Sequence, residues 1–256
     1  MKDGMIRGNV NYHFEDFTET EYRKLLRLVK ANWELISFTD YRKPGKVCLW
    51  RHDVDFSVHR AYRLAQIEAE EGIRATYFIH FHSKFYNALE DEVAERISKI
   101  QALGHMLGLH FDPQFYATAM NRRSEVLEQM EFERGIMRNV FKAEVPAFSI
   151  HIPDLGDWSS IDADNVSGMV NAYGPHIKNN YRYCSDSNGY WRFLRLKDVL
   201  ESASDEKLHV LTHPEMWTPE SMSPRARITR CIEGRAARQH QWYDDILARA
   251  GRDNVR

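Results

Sequence analysis

Apolar positions along the chain switch between two periods, and this switching predicts alternating helices and strands. In residues 18–36 the positions of Leu25, Leu28, Val29 and Leu35 have helical spacing, and Thr18 with Glu21 forms a capping box. Further helices are predicted at about 58–71, 90–103, 124–141, 196–203 and 224–250. Short β-branched and apolar runs predict strands at about 47–50, 75–79, 105–111, 147–150 and 207–212.

Strands that alternate with helices are typical of parallel βαβ units. Six or seven such units follow one another in 256 residues with no evident linker. We therefore expect one α/β barrel domain over residues 1–256. Residues 153–190 are rich in Asp, Asn, Ser and Gly, which predicts long loops with short strands.

Composition narrows the class of protein. The chain has 35 Lys and Arg residues and 37 Asp and Glu residues, which gives a net charge of 35 − 37 = −2. No electrostatic attraction to nucleic acid is therefore expected. No run of about 18 apolar residues and no secretory signal is visible, which favours a cytoplasmic protein without an integral membrane segment. Three cysteines do not form a disulfide framework.

Polar residues collect at the carboxyl ends of five predicted strands, and at least five of the twelve histidines are among them. In chain order these residues are Arg51, His52, Asp53, Asp55, His80, His82, His110, Asp112, His151 and His213. In parallel α/β barrels the active site lies at this end of the strands. The pattern therefore predicts a site at one mouth of the barrel.

The residue types at this mouth favour a metal site. Asp53 and Asp55 share one face of their strand, as do His80 and His82. Carboxylates and imidazoles bind divalent ions, a second carboxylate can take a proton from water, and a further histidine can protonate a leaving group. These parts are typical of metal-assisted hydrolysis.

Structural explanations are also available for the same residues. A lone histidine at a strand end is more often a hydrogen-bonded surface residue, and Asp55 could cap the next helix. The arginine-rich C-terminal helix and the remaining histidines are read as structural or solvated. Those histidines are His13, His59, His105, His176, His209 and His240.

Four segments carry a resemblance to a known family. They are LWRHDVDFS from Leu49, GIRATYFI from Gly72, GHMLGLH from Gly104 and LTHPE from Leu211. In order and separation these segments resemble the polysaccharide deacetylase superfamily, the NodB-homology carbohydrate esterases. The segments RHDVDFS, HSKFYN, GLHFDP and YCSDSNGYW are more closely similar to WbmS-like proteins of bacterial surface polysaccharide clusters.

The resemblance implies a distorted (β/α)7 barrel that holds one divalent metal, zinc first, with Mn, Co or Ni as alternatives. It implies that Asp53 is the base and Asp55 a metal ligand. The family pair is adjacent, whereas Val54 separates this pair, so the two roles could be exchanged. His213 matches the general acid, and Asp186 matches the carboxylate that tunes it.

The second family motif has two metal histidines four residues apart. His110 matches the first, but Gln114 occupies the second position. Because Gln is a poor zinc ligand, we expect His82 or His151 to complete the site, with Asp112 less suited. Arg51 is a possible counterpart of the family's base-orienting arginine.

The resemblance implies a hydrolase that removes an N- or O-acyl group from a sugar or sugar-lipid precursor during O-antigen assembly. Trp191, Trp217 and Tyr116 are candidate platforms for sugar rings. The alternative is a non-catalytic sugar-binding or scaffold protein that has lost part of its metal site. A metal-dependent phosphoesterase is a third interpretation, weakened because no phosphate-binding loop is evident.

Overall fold

The computed structural model describes residues 12–120, 125–155, 158–191 and 193–255. Its strands belong to one curled sheet: β1 Glu34–Ile36, β2 Val47–Val54, β3 Thr76–Ile79, β4 Met106–Phe111, β5 Ala147–Ile150, β6 Asn165–Val166, β7 Met169–Asn171, β8 Arg182–Ser185 and β9 Lys207–Thr212. Its α-helices are α1 Glu19–Asn32, α2 Val58–Glu70, α3 Asp91–Ala102, α4 Val126–Phe141, α5 Pro175–Asn180, α6 Leu196–Ser202 and α7 Pro224–Arg249.

Seven strands run parallel in the order β7-β5-β4-β3-β2-β9-β8. Strand β6 pairs antiparallel with β7, and β1 pairs with the first residues of β2. The rings of Tyr173, just after β7, and Tyr183, in β8, have centroids 6.3 Å apart, so the two ends of the parallel series approach each other. The predicted α/β class and distorted seven-stranded barrel are confirmed.

Alternation along β2 separates two apolar regions. Cys48, Trp50 and Val54 pack outward with the helices, whereas Val47 and Leu49 lie in the core enclosed by the sheet. The same alternation turns polar residues of β2 inward above this small core. The carboxyl ends of the strands are therefore the place where inward polar side chains can meet.

The enclosed core is tightly packed around Gly108 of β4. A Cβ atom at this position would lie 2.6 Å from two ring carbons of Phe78 and 3.1 Å from the carbonyl oxygen of Ala147. Gly108 thus allows β3, β4 and β5 to approach closely on their inner face.

Buried polar residues also link the outer face of the sheet to the helices. The carboxylate of Glu68, in α2, accepts hydrogen bonds from Tyr22 at 2.5 Å and Tyr77 at 2.6 Å, and its Oε1 lies 2.7 Å from His52 Nε2. The other ring nitrogen of His52 lies 2.7 Å from the hydroxyl of Thr212. This Glu68 cluster connects α1, α2, β2, β3 and β9.

One helix boundary departs from the sequence prediction, and another lies outside the described residues. The helix predicted to reach residue 36 ends at Asn32, and residues 34–36 form β1 because they pair with the start of β2. Ser124, the predicted start of α4, lies outside the described residues, and α4 is described from Val126.

The C-terminal helix α7 has 26 residues and agrees with its predicted position. Ser223 caps its first turn by accepting a hydrogen bond from the backbone N–H of Ala226. Most of the helix is exposed, and Arg227 is its buried residue. None of the helices described in the structure is both long and apolar enough to cross a membrane.

Candidate active site

Five residues at or just after the carboxyl ends of parallel strands converge on one point. Asp55 follows β2, His80 follows β3, His110 lies in β4, His151 follows β5 and His213 follows β9. Ser57 caps α2 by accepting from the N–H of Arg60, so capping does not explain Asp55.

The tightest part of this cluster is a triangle of one oxygen and two nitrogens. Asp55 Oδ1 lies 3.2 Å from His110 Nε2 and 3.5 Å from His151 Nδ1, and these two nitrogens are 3.1 Å apart. Ligands about 2.0–2.1 Å from a tetrahedral ion are about 3.3–3.4 Å from one another. The three atoms therefore have the spacing of a tetrahedral metal site.

His80 adds a third imidazole to the cluster. Its Nδ1 lies 3.9 Å from Asp55 Oδ1, and donor atoms of Asp55, His80 and His151 all lie within 4.8 Å of one another. Among the described residues, Asp55 Oδ1 and both ring nitrogens of His80 are buried polar atoms without a hydrogen-bond partner. Buried carboxylate oxygens and imidazole nitrogens that lack hydrogen-bond partners are suited to bind a divalent ion.

The charges in the cluster are coupled. Burial alone would raise the pKa of Asp55, but the nearby imidazoles of His110 and His151 hold it well below its usual range. Burial would lower the pKa of His151, and the Asp55 carboxylate raises it instead. Burial lowers the pKa of His80 to about 4, so His80 is neutral at neutral pH and its lone pair is available.

His213 and Asp186 form a pair on the other side of Asp55. His213 Nδ1 lies 2.6 Å from Asp186 Oδ1, and His213 Nε2 lies 3.8 Å from Asp55 Oδ2. Asp186 also accepts hydrogen bonds from the backbone N–H of His213 and from the indole N–H of Trp217. Burial alone would lower the pKa of His213, but Asp186 outweighs it and raises this pKa well above its usual value. The raised pKa favours the protonated form of His213, and Asp186 holds its ring in place.

A second buried carboxyl group lies close to this pair. Burial raises the pKa of Glu215 well above its usual value, which favours the neutral form of this side chain. Asp186 makes the largest contribution to the raised pKa of His213, and Asp55 and Glu215 add to it.

Asp53 lies one inward position below Asp55 on β2 and is only 2% exposed. Its Oδ1 accepts a hydrogen bond from Ser149 at 3.2 Å, and its Oδ2 accepts one from Arg51 at 3.3 Å. Ser149 in turn lies 2.7 Å from His110 Nδ1. Asp53 is thus connected to the triangle through Ser149.

His82, a metal candidate from the sequence, has other partners, and so does Gln114, which is expected not to be a ligand. His82 Nε2 lies 2.8 Å from Glu133 Oε1, and its ring stacks on Phe115 with centroids 3.6 Å apart. The side-chain amide of Gln114 donates to the carbonyl oxygen of Leu155. The structure therefore does not bring His82 into the Asp55 cluster, a correction to the expected ligand set, and His80 takes that place in space.

Burial rules out two of the three aromatic residues expected to stack on sugar rings. Trp217 is 0% exposed and packs on Phe17 and Tyr22, and Tyr116 is 5% exposed and donates to Glu133. The indole of Trp191 donates to Asp16 and stacks on Phe17. The rings of Trp217 and Tyr116 are therefore part of the core and present no open face for stacking, whereas Trp191 is half-buried and stays a candidate platform.

Sequence reasoning missed two members of the site. His80 was noted at a strand end but not chosen as a ligand, although it directly follows β3, whereas His82 lies two residues further into the loop. Ser149 carries no signal in the sequence, because a serine in an apolar strand has no specific chemistry until its partners are known.

No family model and no curated protein matches the chain. A solved chitin deacetylase from the fungal pathogen Colletotrichum lindemuthianum is 14% identical, with a TM-score of 0.42, over 75% of this chain and 84% of its own. A family 4 carbohydrate esterase from Bacillus anthracis is also 14% identical, with a TM-score of 0.43, over 91% of this chain and 87% of its own. Values this low assign no role to any residue, so the roles follow from contacts within this chain.

Proposed function

We propose that this protein is a metal-dependent hydrolase that removes an N- or O-acyl group from a sugar. The observation that carries the proposal is the Asp55–His110–His151 triangle with the protonated His213–Asp186 pair beside it. Acyl transfer to water needs activation of the water and protonation of the leaving atom, and this arrangement has groups for both.

Asp55, His110 and His151 would hold one divalent ion, with His80 within reach as a further imidazole. Zinc is our first choice because imidazole and carboxylate suit it, and Mn, Co or Ni are alternatives. Such an ion would supply Lewis-acid activation of the attacking water and of the acyl oxygen.

The remaining steps fall to the chain's own residues. His213 donates its Nε2 proton to the leaving nitrogen or oxygen, and Asp186 keeps the ring oriented through Nδ1. The sequence resemblance implies Asp53 as the base, and Asp112, whose Oδ2 lies 3.7 Å from His80 Nε2, is a second carboxylate that can take the proton of the attacking water. Burial alone would raise the pKa of Asp112, but its contact with His80 lowers it, so Asp112 is ionised at neutral pH.

We further propose that the substrate is a sugar or sugar-lipid precursor of a bacterial surface polysaccharide such as O-antigen, processed in the cytoplasm. This finer assignment rests on the resemblance of the segments RHDVDFS, HSKFYN, GLHFDP and YCSDSNGYW to WbmS-like proteins. The similarity to the chitin deacetylase and the family 4 carbohydrate esterase does not support this finer assignment.

The test combines metal analysis with an acyl-release assay. Protein purified without chelator is analysed for bound metal and incubated with acetylated amino sugars and acetylated sugar-lipid precursors, and released acetate is measured. We expect about one divalent ion per chain and hydrolysis that stops with chelator and returns with added Zn²⁺.

Two variants separate metal binding from proton transfer. Asp55→Ala should lose both the ion and the activity, because it removes the carboxylate corner of the triangle. His213→Ala should keep the ion and lose about 10²–10⁴-fold in rate. A protein that binds no ion and hydrolyses none of these substrates would instead fit a non-catalytic sugar-binding or scaffold protein.

A further inference from the structure

We infer that Asp53 is a positioning residue that acts on metal ligand His110 through Ser149, rather than the base that touches the attacking water. This inference rests on the metal site of the proposed function. It changes the role of Asp53 from the one that the sequence resemblance implies.

The single hydroxyl proton of Ser149 determines which groups donate and which accept in the Asp53–Ser149–His110 series, called here the relay. Ser149 has one hydroxyl proton, and it donates this proton to Asp53 Oδ1, which can only accept when ionised. At its 2.7 Å contact with His110 Nδ1, Ser149 must then be the acceptor. His110 therefore carries its proton on Nδ1, and the lone pair of the neutral ring is on Nε2.

His110 Nε2, the nitrogen that keeps its lone pair, is the atom that belongs to the triangle. His110 Nε2 lies 3.2 Å from Asp55 Oδ1 and 3.1 Å from His151 Nδ1. A carboxylate that fixes the tautomer of a ligating histidine through its other nitrogen also raises the basicity of that ligand. Ser149 extends this arrangement by one hydroxyl group.

Burial and existing hydrogen bonds keep the Asp53 carboxylate away from the substrate. It is 2% exposed, and both of its oxygens already accept hydrogen bonds, from Ser149 and Arg51. Arg51 is fully buried, with its guanidinium carbon 4.4 Å from the ring centroid of Tyr173 and 5.5 Å from that of Phe78. Burial alone would lower the pKa of Arg51, but the Asp53 carboxylate raises it, so a positive charge is fixed below Asp53.

The aromatic rings hold Arg51, Arg51 holds Asp53, and Asp53 orients Ser149 and His110. The end of this series that reaches the triangle is the metal ligand His110 and not the carboxylate. Removal of Asp53 or Ser149 should therefore weaken metal binding itself, and a base would leave metal binding intact.

The experiment measures the affinity of Zn²⁺ by competition with a chromophoric chelator in Ser149→Ala, Asp53→Asn and wild-type protein. The visible absorption spectrum of the Co²⁺-loaded forms reports the ligand environment independently of activity. Thr76→Val is the matched control, because it also removes a buried hydroxyl from the inner face of a strand, at the opposite end of β3 from His80. Thermal unfolding of each metal-free variant checks that it is folded.

We expect Ser149→Ala and Asp53→Asn each to weaken Zn²⁺ binding by about 10–100-fold and to change the Co²⁺ spectrum, with Thr76→Val equal to wild type. Because the two residues act in series, the double variant should lose little more than either single variant. If Ser149→Ala does not fold, Asp53→Asn decides the question by the same two measurements.

Wild-type Zn²⁺ affinity in Ser149→Ala would overturn the relay while leaving the proposed function in place. Wild-type affinity and spectrum in Asp53→Asn, combined with loss of hydrolysis, would return Asp53 to the role of base and also overturn the relay. A wild-type protein that takes up no ion would overturn the proposed function together with the relay.

Discussion

Replacement of Glu68 by Gln tests whether the buried polar cluster between sheet and helices stabilises the fold. Glu68 is fully buried, and its carboxylate faces three side-chain groups, on Tyr22, Tyr77 and His52, at 2.5–2.7 Å. Glutamine has nearly the same shape, but its NH₂ group would face one of these donors, and the negative charge beside His52 would be lost.

The size of the effect follows from these contacts. A hydrogen bond to a charged group contributes about 1.5–3 kcal/mol, and Glu68→Gln removes the charge from three such contacts. We therefore expect Glu68→Gln to lower the free energy of unfolding by about 3–5 kcal/mol at pH 7. For a protein stabilised by about 5–15 kcal/mol, this is a large fraction of the total.

The assay is urea denaturation followed by far-UV circular dichroism, with the slope of the transition compared between variants. Glu70→Gln is the matched control on the same helix, because Glu70 pairs with Arg23 at the exposed surface and should contribute at most about 1 kcal/mol. Equal, small losses for Glu68→Gln and Glu70→Gln would refute the reasoning.

The pH dependence of the effect has a definite sign. Burial alone would raise the pKa of Glu68, but His52, His105 and Tyr22 outweigh it, so this pKa lies below its ordinary value of 4.5. The stabilisation by the carboxylate is therefore fully present above that value and is lost as the pH falls through the lowered pKa. The difference between wild type and Glu68→Gln should accordingly shrink in this acid range.

Three further changes give separate expectations. Asp186→Asn removes the charge that raises the pKa of His213, so the alkaline limb of the pH–rate profile for deacylation should move to lower pH; an unmoved limb would contradict the pairing. Gly108→Ala places a methyl group 2.6 Å from the Phe78 ring and should cost about 1–3 kcal/mol of stability in urea denaturation, and an unchanged midpoint would show that the enclosed core can expand. Gln114→Ala should leave Zn²⁺ affinity within about 2-fold of wild type, whereas a loss of 10-fold or more would make Gln114 a ligand.

Much of the site was accessible from the sequence because strand ends are readable from periodicity. Asp55, His110 and His213 each follow or end an apolar run, and parallel strands bring their carboxyl ends to one edge of the sheet. The choice between His80 and His82 was not accessible in the same way. The two histidines are two residues apart, so an extended chain would turn both to the same face. Only the path of the chain after β3 turns His82 towards Glu133 in α4.

The buried partners were the least predictable part. Trp217 resembles a sugar platform in the sequence, but its ring packs against Phe17 and Tyr22, residues nearly 200 positions away in the chain. The role of Ser149 depends on its contact with Asp53, 96 residues earlier. Contacts at such separations are set by sheet order, which local patterns do not specify.

The pairing of β2 with β9 has a consequence for how the chain folds. These two strands lie side by side in the sheet, with β9 between β2 and the terminal strand β8, although their paired residues are about 160 positions apart. At synthesis rates of about 5–20 residues per second, one edge of β2 stays unpaired on the ribosome for roughly 10–30 seconds. During that interval an apolar strand is open to other chains. Completion of the sheet, and with it the joining of Asp55 to His213, is therefore a late event in folding.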